Sequence, residues 1–415
     1  MNKLLRSILA MSAVMGSLAI STESQAMANY ARQTGKACTS CHFQSFPALN
    51  EYGRDFKAAG YTQMGNGQGK VEGKSGLSIT DVLNAAVVTK IRYQKSNGPT
   101  VAGTNNTNDG ELQFPDELLL MLGGRVSKNI GVQVDLNLAG QKAGTTGATH
   151  VVDGMKMPFM FDMGGVTAGV IPFTTAGQGV SYGFELLNTG AVRGQRIVEA
   201  RKTFSAQQYI GTGDAAQGVA AVASNSHFFA NFSMWSPRSV GDKTGAPKAS
   251  YFRLAATPKM GEWDLGAGVQ SWSGSATNAS LTNVDIKAWA IDAQAQGKIA
   301  ELPLGIYLTH ANAAGSPTVG NKNFFNANPN DKTATTVAAQ LGILPNKATM
   351  MLGYRKGDNG KASNSADNGW MLGASYNIVQ NVQLQLNHEM YSGSAYNGTP
   401  ANGDQLTTLM LFASF

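Results

Sequence analysis

The alternation of side chains in residues 130–139 is the sequence feature that most restricts the fold. Because successive side chains of a strand point to opposite faces, this segment has one apolar face and one polar face. A tilted strand of about 9–11 residues is long enough to cross the hydrocarbon core of a bilayer. The pattern therefore fits a membrane-spanning β-barrel as well as a half-buried strand of a soluble protein. The apolar positions are Ile130, Val132, Val134, Leu136 and Leu138, and the intervening ones are Gly131, Gln133, Asp135 and Asn137.

Connections between the predicted strands alternate in length. Short turns on one side and long loops on the other are expected of an outer-membrane barrel, in which the short turns are periplasmic. A soluble sandwich gives no reason for such regular segregation. The short connections are Ser127–Asn129, Pro258–Gly261, Ile299–Pro303, Leu344–Asn346 and Val379–Asn381, and the long ones lie near 96–113, 273–285, 312–333, 358–367 and 393–403. Further strands are predicted near 79–93, 149–158, 165–172, 179–187, 192–202, 225–235, 249–258, 263–272, 286–298, 303–312, 334–343, 347–357, 368–378, 382–387 and 404–415.

Composition and the first residues indicate export. Charged residues make up 14% of the chain, against about 25% in an average soluble domain. Residues 1–26 have a basic start, a short apolar stretch and small residues before a cleavage point, which is typical of a secretory signal peptide. An inner-membrane anchor is the alternative interpretation, but the apolar stretch is short for a spanning helix. No later stretch is apolar for 18 residues, so no transmembrane helix is expected.

These observations predict an all-β fold, an outer-membrane antiparallel β-barrel of about sixteen strands formed by residues 77–415. The last strand ends on Phe415, which is similar to the terminal signal of outer-membrane proteins. A secreted sandwich, a solenoid or another soluble all-β protein is the alternative. The net charge is +6, but no basic run is interleaved with aromatic residues. We therefore expect a lipid bilayer as surroundings and no nucleic-acid partner.

The chain has only two cysteines, and both lie in the sequence Cys38-Thr39-Ser40-Cys41-His42. The pattern C-x-x-C-H is the attachment site of a c-type haem. Two thiols three residues apart form thioethers with the porphyrin, and the following imidazole ligates the iron. The alternatives are a disulfide, a redox dithiol and half a zinc site, which lacks a second ligand pair. We therefore predict one covalently bound c-type haem, with His42 as the proximal iron ligand.

Residues 27–62 form the predicted haem segment, and the glycine-rich residues 63–76 a linker. Leu49, Tyr52, Phe56 and Ala59 recur at helical spacing, and Pro47 suits the first helical position. One helix of this length cannot bury a porphyrin alone. The segment is therefore expected to be mostly helical and to lie at or inside the lumen, where the barrel supplies the remaining walls.

The same segment resembles a known family over residues 30–61. The motifs that carry the resemblance are Tyr30-Ala31-Arg32-Gln33-Thr34-Gly35, the C-x-x-C-H sequence, Phe46-Pro47-x-Leu49-Asn50 and Gly53-Arg54-x-Phe56-Lys57-x-x-Gly60-Tyr61. They closely resemble the outer-membrane monohaem cytochrome–porin fusions of neutrophilic and acidophilic iron-oxidising bacteria. Tyr30 and Tyr52 stand where that family has phenylalanine. The porin part is similar only in architecture and length.

The resemblance implies an electron conduit across the outer membrane. The expected donor is extracellular Fe(II) or another reduced species, and the expected acceptor is a periplasmic cytochrome c or copper protein. Fe(II) oxidase activity is the enzymatic form of this expectation. Two alternatives remain. One is a transport porin whose haem segment is a plug or redox sensor, and the other is a soluble periplasmic cytochrome with a β domain.

The sequence leaves the distal iron ligand open. Met64, His150 and His227 are the candidates, and water or another residue is also possible. Arg32, Arg54 or Lys57 can pair with the haem propionates. Carboxylates in the long loops are candidates for a site that receives a cationic donor. They are Asp331, Asp358, Asp367 and Asp404.

Overall fold

The chain closes into a β-barrel because its last strand pairs with its first long strand. The computed structural model describes residues 28–44, 46–100, 107–139, 151–192, 205–237, 247–277, 282–398 and 403–415, so the predicted signal peptide lies outside the described residues. The final strand, β21 (Gln405–Ser414), runs antiparallel to β3 (Ala85–Ser96), with Ser414 opposite Val88. Closure removes the open sheet edges that a bilayer cannot solvate. The predicted all-β outer-membrane barrel is confirmed.

The secondary structure is mostly strand. The helices are α1 (Ala28–Thr34), α2 (Cys38–Cys41), α3 (Glu51–Ala58) and α4 (Ala206–Ile210), with short 3-10 turns at Val180–Tyr182 and Ser394–Tyr396. A separate two-stranded sheet consists of β1 (Lys70–Glu72) and β2 (Ser78–Thr80). The barrel comprises β3 (Ala85–Ser96), β4 (Glu111–Arg125), β5 (Gly131–Ala139), β6 (Val152–Lys156), β7 (Phe159–Asp162), β8 (Thr167–Thr175), β9 (Ala216–Ser224), β10 (Phe228–Ser236), β11 (Ala249–Ala256), β12 (Lys259–Met260), β13 (Trp263–Thr277), β14 (Asn283–Ile299), β15 (Leu302–Ala313), β16 (Lys322–Asn323), β17 (Lys332–Leu344), β18 (Ala348–Asp358), β19 (Asn368–Val379), β20 (Val382–Ser392) and β21 (Gln405–Ser414).

Sixteen of these units are spanning strands, the number that the sequence predicts. β6 and β7 are two halves of one strand, interrupted at Met157 and Pro158, because both pair with β8 in one continuous register. β12 and β16 are two-residue additions to the sheet. The barrel begins at Ala85 instead of residue 77, and β1 lies within the predicted linker.

Burial along the strands is the inverse of that in a soluble protein. In β14 the inward face buries Asp292, Gln294 and Gln296, whereas Trp289 and Ile291 on the outer face are 43% and 49% exposed. Apolar side chains point outward around the barrel because lipid is the surrounding solvent. No helix in the described ranges has the length and apolarity needed to cross a membrane.

The predicted short connections are confirmed as tight turns at one end of the barrel. The β14–β15 turn uses Ala300 and Glu301, both with positive φ angles of 46° and 65°, as a two-residue hairpin with matched twist requires. The turn between β17 and β18 uses Asn346, with a φ of 60°. In an outer-membrane barrel this end faces the periplasm, so the long loops lie on the extracellular side.

One long connection folds into the lumen. We name residues 176–215 the inner loop, which the structure describes over 176–192 and 205–215. The strand predicted at 179–187 is wrong, because this stretch has a 3-10 turn and irregular backbone and is buried inside the barrel. The strand predicted at 192–202 lies almost entirely outside the described residues. The inner loop therefore fills lumen space that an open channel leaves to water.

The N-terminal segment, residues 28–62, also lies inside the lumen, at the short-turn end. Its backbone and side chains bond to residues near the periplasmic ends of strands, such as Asp264 in β13 and Asn377 in β19. Helix α3 begins at Glu51 and not at Pro47, because the Asn50 side chain accepts from the Gly53 amide and caps it there. The predicted position of the segment inside the barrel is thus observed.

Candidate functional site

The two cysteines and His42 form a compact unit at the start of the N-terminal segment. Cys38 and Cys41 occupy the two ends of α2, a single helical turn, so their side chains lie on one side of it. The His42 amide donates to the Cys38 carbonyl at 3.0 Å, and the chain then becomes extended. Burial raises the pKa of the Cys41 thiol to about 11. This is the local geometry that the C-x-x-C-H spacing predicts.

A hydrogen bond orients the imidazole of His42. Its Nδ1 lies 3.2 Å from the carbonyl oxygen of Ala48. With Nδ1–H as the donor, Nε2 keeps its lone pair available for a metal ion. Burial lowers the pKa of His42 to about 4, so the ring is neutral at physiological pH. A neutral, oriented imidazole is the form that ligates iron.

Packing between α2 and α3 depends on a glycine. A Cβ at Gly53 would lie 2.2 Å from the Cys41 carbonyl oxygen, so no larger residue fits there without displacement. Asn50 also donates to the carbonyls of Ser40 and Thr39, at 3.0 and 3.3 Å. These contacts fix the loop that carries His42 against α3.

Cys41 and His42 line a cavity of about 260 Å³ inside the barrel. The barrel contributes Val88, Leu119, Met121 and Phe412 on its inward face, and the inner loop contributes Leu186 and Leu187. Phe46 bridges the two sides, because its ring lies edge-on to His42 at 5.6 Å and stacks on Phe412 at 5.0 Å. The cavity therefore has walls from three separate parts of the chain, as expected of a cofactor that one helix cannot bury.

Several hydrogen bonds dock the N-terminal segment in the lumen. The Leu49 amide donates to Asn188 Oδ1 at 2.7 Å, and Asn188 Nδ2 returns a bond to the Leu49 carbonyl at 2.9 Å. Gln33 accepts from Asn84 and from the Arg125 amide. These contacts join the segment to the inner loop, to the residue before β3 and to β4. The cavity is therefore held by tertiary contacts on several sides.

The structure separates the three basic residues that the sequence assigns to the propionates. Arg54 forms an ion pair with Asp264, and Arg32 donates to the Ala85 carbonyl, so neither assignment is supported. Lys57 lines the cavity. Burial lowers the pKa of Lys57 to about 8, partly offset by the attraction of Glu185. Lys57 is therefore the basic residue of the three that faces the cavity.

The candidates for the distal ligand do not reach the cavity in the described part of the chain. His227 is exposed in the turn before β10, where its ring contacts Ser226. Met64 is half-buried beyond the N-terminal segment and does not line the cavity. His150 lies outside the described residues. The described methionine that lines the cavity is Met121, which sequence reasoning missed.

A signal for Met121 was present in the sequence. Residues 118–122 of β4 read Leu-Leu-Leu-Met-Leu, so both faces of the strand are apolar. A barrel strand that borders water should alternate instead. An apolar inward face indicates that this part of the lumen is dry. Lys156, another cavity residue, has no comparable signal.

Each of the four loop carboxylates is engaged in hydrogen bonds at the extracellular end. Asp367 pairs with Arg355 at 2.5 Å and accepts from Tyr209 and Tyr396. Asp331 and Asp358 accept bonds within their own loop regions, and Asp404 accepts from Asn97 of the β3–β4 loop. In the described ranges, no group of three or more histidine, cysteine, aspartate or glutamate side chains is arranged to hold a metal ion.

Comparison with known proteins supports the fold alone. No family model matches the chain, and no curated protein matches it. The structure of Salmonella typhi OmpF in complex with daunomycin aligns with a TM-score of 0.50 and 11% identity, over 83% of this chain and 100% of that one. The outer-membrane channel DcaP of Acinetobacter baumannii gives 0.49 and 14%, over 84% and 100%, and a loop L8 deletion mutant of OmpT from Vibrio cholerae gives 0.46 and 12%, over 80% and 99%. The chain is a porin-like barrel of the bacterial outer membrane.

Proposed function

We propose that the chain is an outer-membrane electron conduit in which the N-terminal segment carries one c-type haem inside the lumen. The observation that carries the proposal is that Cys41 and His42 line a largely apolar cavity between the barrel wall and the inner loop. A solvent-exposed motif on a periplasmic tail would have no such walls. A buried site is what a haem that must stay dry within a barrel needs.

Several residues around the cavity would hold the haem. Cys38 and Cys41 supply the thiols for attachment, and His42 supplies Nε2, held in place by Ala48. Met121 would offer a thioether, a soft donor that haem iron accepts. A c-type haem bound there would supply reversible one-electron transfer at its iron. Apolar side chains such as Leu119 and Phe412 would disfavour the more highly charged ferric form and so raise the potential.

The barrel provides a route by which electrons can cross the outer membrane. The hydrocarbon core is about 30 Å thick, so a carrier bound at one surface leaves most of the insulating layer uncrossed. The N-terminal segment and the inner loop both lie within the lumen, where they take the place of a water-filled channel. The protein therefore holds the site within the thickness of the barrel and opposes free solute flow.

The direction of transfer and the partners come from the family resemblance. Extracellular Fe(II), or another reduced donor, gives one electron to the haem from the long-loop side of the barrel. A periplasmic cytochrome c or copper protein accepts it at the short-turn end, close to the N-terminal segment. With Fe(II) as donor the protein is an Fe(II) oxidase.

Spectroscopy of the purified protein during an Fe(II) titration tests this proposal. The wild type should contain covalent haem and show a reduced c-type spectrum, whereas His42→Ala should show neither the ligation nor the reduction. A wild type without covalent haem would overturn the proposal. A haem that stays oxidised under excess Fe(II) would exclude iron as donor and leave the other donors to be tested in the same way.

A transport barrel with a haem-bearing plug is the second candidate, and the likeness of the fold to OmpF favours it. The two functions predict different conductance in planar bilayers. A conduit whose lumen is filled should show no solute-sized channel openings. Sustained openings in the intact protein, without Fe(II)-dependent reduction, would favour the transport function.

A further inference from the structure

Two lysines face the cavity without a carboxylate partner in the described part of the chain. Lys156, at the end of β6, is 4% exposed, and its Nζ donates to the Tyr182 carbonyl at 3.0 Å. The same Nζ lies 4.3 Å from the centre of the Tyr182 ring and 5.4 Å from that of Tyr61. Lys57, in the last turn of α3, lines the same cavity. Neither ammonium has a described carboxylate oxygen within the 4.0 Å of an ion pair.

Other buried cations inside the barrel are paired. Lys90, which also lines the cavity, lies 2.8 Å from Glu117. Arg253 pairs with Glu185 and Asp292, at 2.9 and 2.5 Å. The contrast matters because removal of an ammonium from water without a counter-charge is unfavourable. Lys57 and Lys156 are also close enough to repel each other, and Asp135 attracts Lys156 without forming an ion pair with it.

A ligand with two carboxylates removes this repulsion. Lys156 uses one of its three N–H donors on Tyr182, so two remain for an anion. His42 lies elsewhere in the cavity, against Phe46, which stacks on Phe412. The cavity thus offers an apolar wall beside the imidazole and two cations, of which Lys156 lies at the tyrosine pair formed by Tyr61 and Tyr182. This distribution of apolar and cationic groups fits a flat apolar ring system that carries two carboxylate substituents.

We propose that Lys57 and Lys156 bind the two propionate carboxylates of the haem. The inference rests on the proposed function and adds to it the residues that would hold the two propionates. Charge-assisted N–H···O bonds would form between each Nζ and a carboxylate. Each cation also opposes the extra positive charge of the ferric state, so it raises the midpoint potential.

The experiment uses the full-length holoprotein and five variants. Lys57→Met and Lys156→Met remove one cation each, their combination removes both, and Lys156→Arg keeps the charge. Lys298→Met is the matched control, because Lys298 is exposed beside the β14–β15 turn and does not line the cavity. Haem content and heat-modifiability on gels report attachment and folding. Midpoint potential against pH and the propionate bending mode in resonance Raman spectra report the ion pairs.

We expect both single Met variants to lower the midpoint potential and to lose the ion-paired propionate signature. The double variant should lower it further, because both carboxylates are then unpaired. The potential should also become pH-dependent, since an unpaired propionate titrates at a higher pH. Lys156→Arg should keep the wild-type values, and Lys298→Met should be unchanged. If Lys156→Met does not fold, Lys57→Met and Lys156→Arg still decide the question.

Different results would contradict the proposed function and the assignment of the two lysines. A wild type without covalent haem contradicts the proposed function itself. Haem attached normally, with Lys57→Met and Lys156→Met indistinguishable from Lys298→Met in potential and Raman spectrum, contradicts only the assignment of the lysines. A loss of potential that Lys156→Arg does not rescue also overturns the assignment, because it indicates a packing role for Lys156.

Discussion

Arg54 of α3 and Asp264 near the base of β13 form a bidentate ion pair, with N–O distances of 2.6 and 2.7 Å. Their side chains are 6% and 15% exposed. The contact joins the N-terminal segment to the barrel wall at the periplasmic end. It is one of few strong contacts that can hold a short helix inside a lumen, and it therefore sets how easily the segment leaves its site.

Asp264→Asn should loosen the N-terminal segment without opening the barrel. The substitution leaves the Arg54 guanidinium without an ionised partner, and breaking a buried pair from one side costs on the order of 3 kcal/mol. Native-state hydrogen exchange should therefore show faster exchange of the α3 amides, while the amides of the barrel strands stay protected.

Lys259→Met is the matched control for that experiment. Lys259 pairs with Glu51 of the same helix at 2.7 Å, but both side chains are exposed. Exposed pairs contribute little because water screens them. We expect unchanged exchange in α3, and equal effects of Asp264→Asn and Lys259→Met would contradict the anchoring role of Arg54.

Gly53→Ala should impair haem attachment. The added methyl group would meet the Cys41 carbonyl oxygen at 2.2 Å, and overpacking of this kind costs about 1–3 kcal/mol. The displaced residue adjoins His42, so covalent haem content per barrel should fall. Gly177→Ala, at a position with no atom within 4 Å of the new Cβ, should leave haem content unchanged. Normal haem content in Gly53→Ala would show that the Cys41 backbone can shift without consequence.

The barrel could be predicted because lipid imposes a strict rule on every spanning strand. Outward residues such as Ile291 and Leu308 must be apolar, and a period of two follows. The same rule wrongly predicted a spanning strand at 179–187. The apolar residues there alternate because the inner loop packs inside the lumen, and they are Val180, Tyr182, Phe184 and Leu186. It also missed β9, Ala216–Ser224, whose many alanines give little contrast between its faces.

The site could be predicted only where its residues adjoin in sequence. Cys38, Cys41 and His42 lie on one turn and its exit, so local spacing carries the chemistry. Met121 and Lys156 reach the cavity through barrel closure, which no local pattern encodes. Arg54 illustrates the opposite error. An arginine near the motif can anchor a helix to the barrel, as Arg54 does through Asp264, as readily as it can bind a haem propionate.

Arg253→Met should release the inner loop. The substitution leaves Glu185 and Asp292 buried without their shared cation, at a cost of about 3–5 kcal/mol. We expect a lower temperature for loss of the compact form on gels and larger ionic conductance in planar bilayers. Lys287→Met, which removes a largely exposed pair with Asp285, should change neither quantity. Unchanged conductance in Arg253→Met would show that other contacts keep the lumen filled.

Met121→Leu tests the source of the distal ligand. The two side chains have similar volumes, so folding should cost less than about 1.5 kcal/mol. If the thioether ligates the iron, the variant loses the sulfur-to-iron charge-transfer band of the ferric protein, and its midpoint potential falls, because methionine ligation raises the potential. Met410→Leu is the matched control, since Met410 is 1% exposed in the same apolar cluster but does not line the cavity. A ferric spectrum that Met121→Leu leaves unaltered would assign the distal position to water or to a residue outside the described ranges, with His150 the first to substitute.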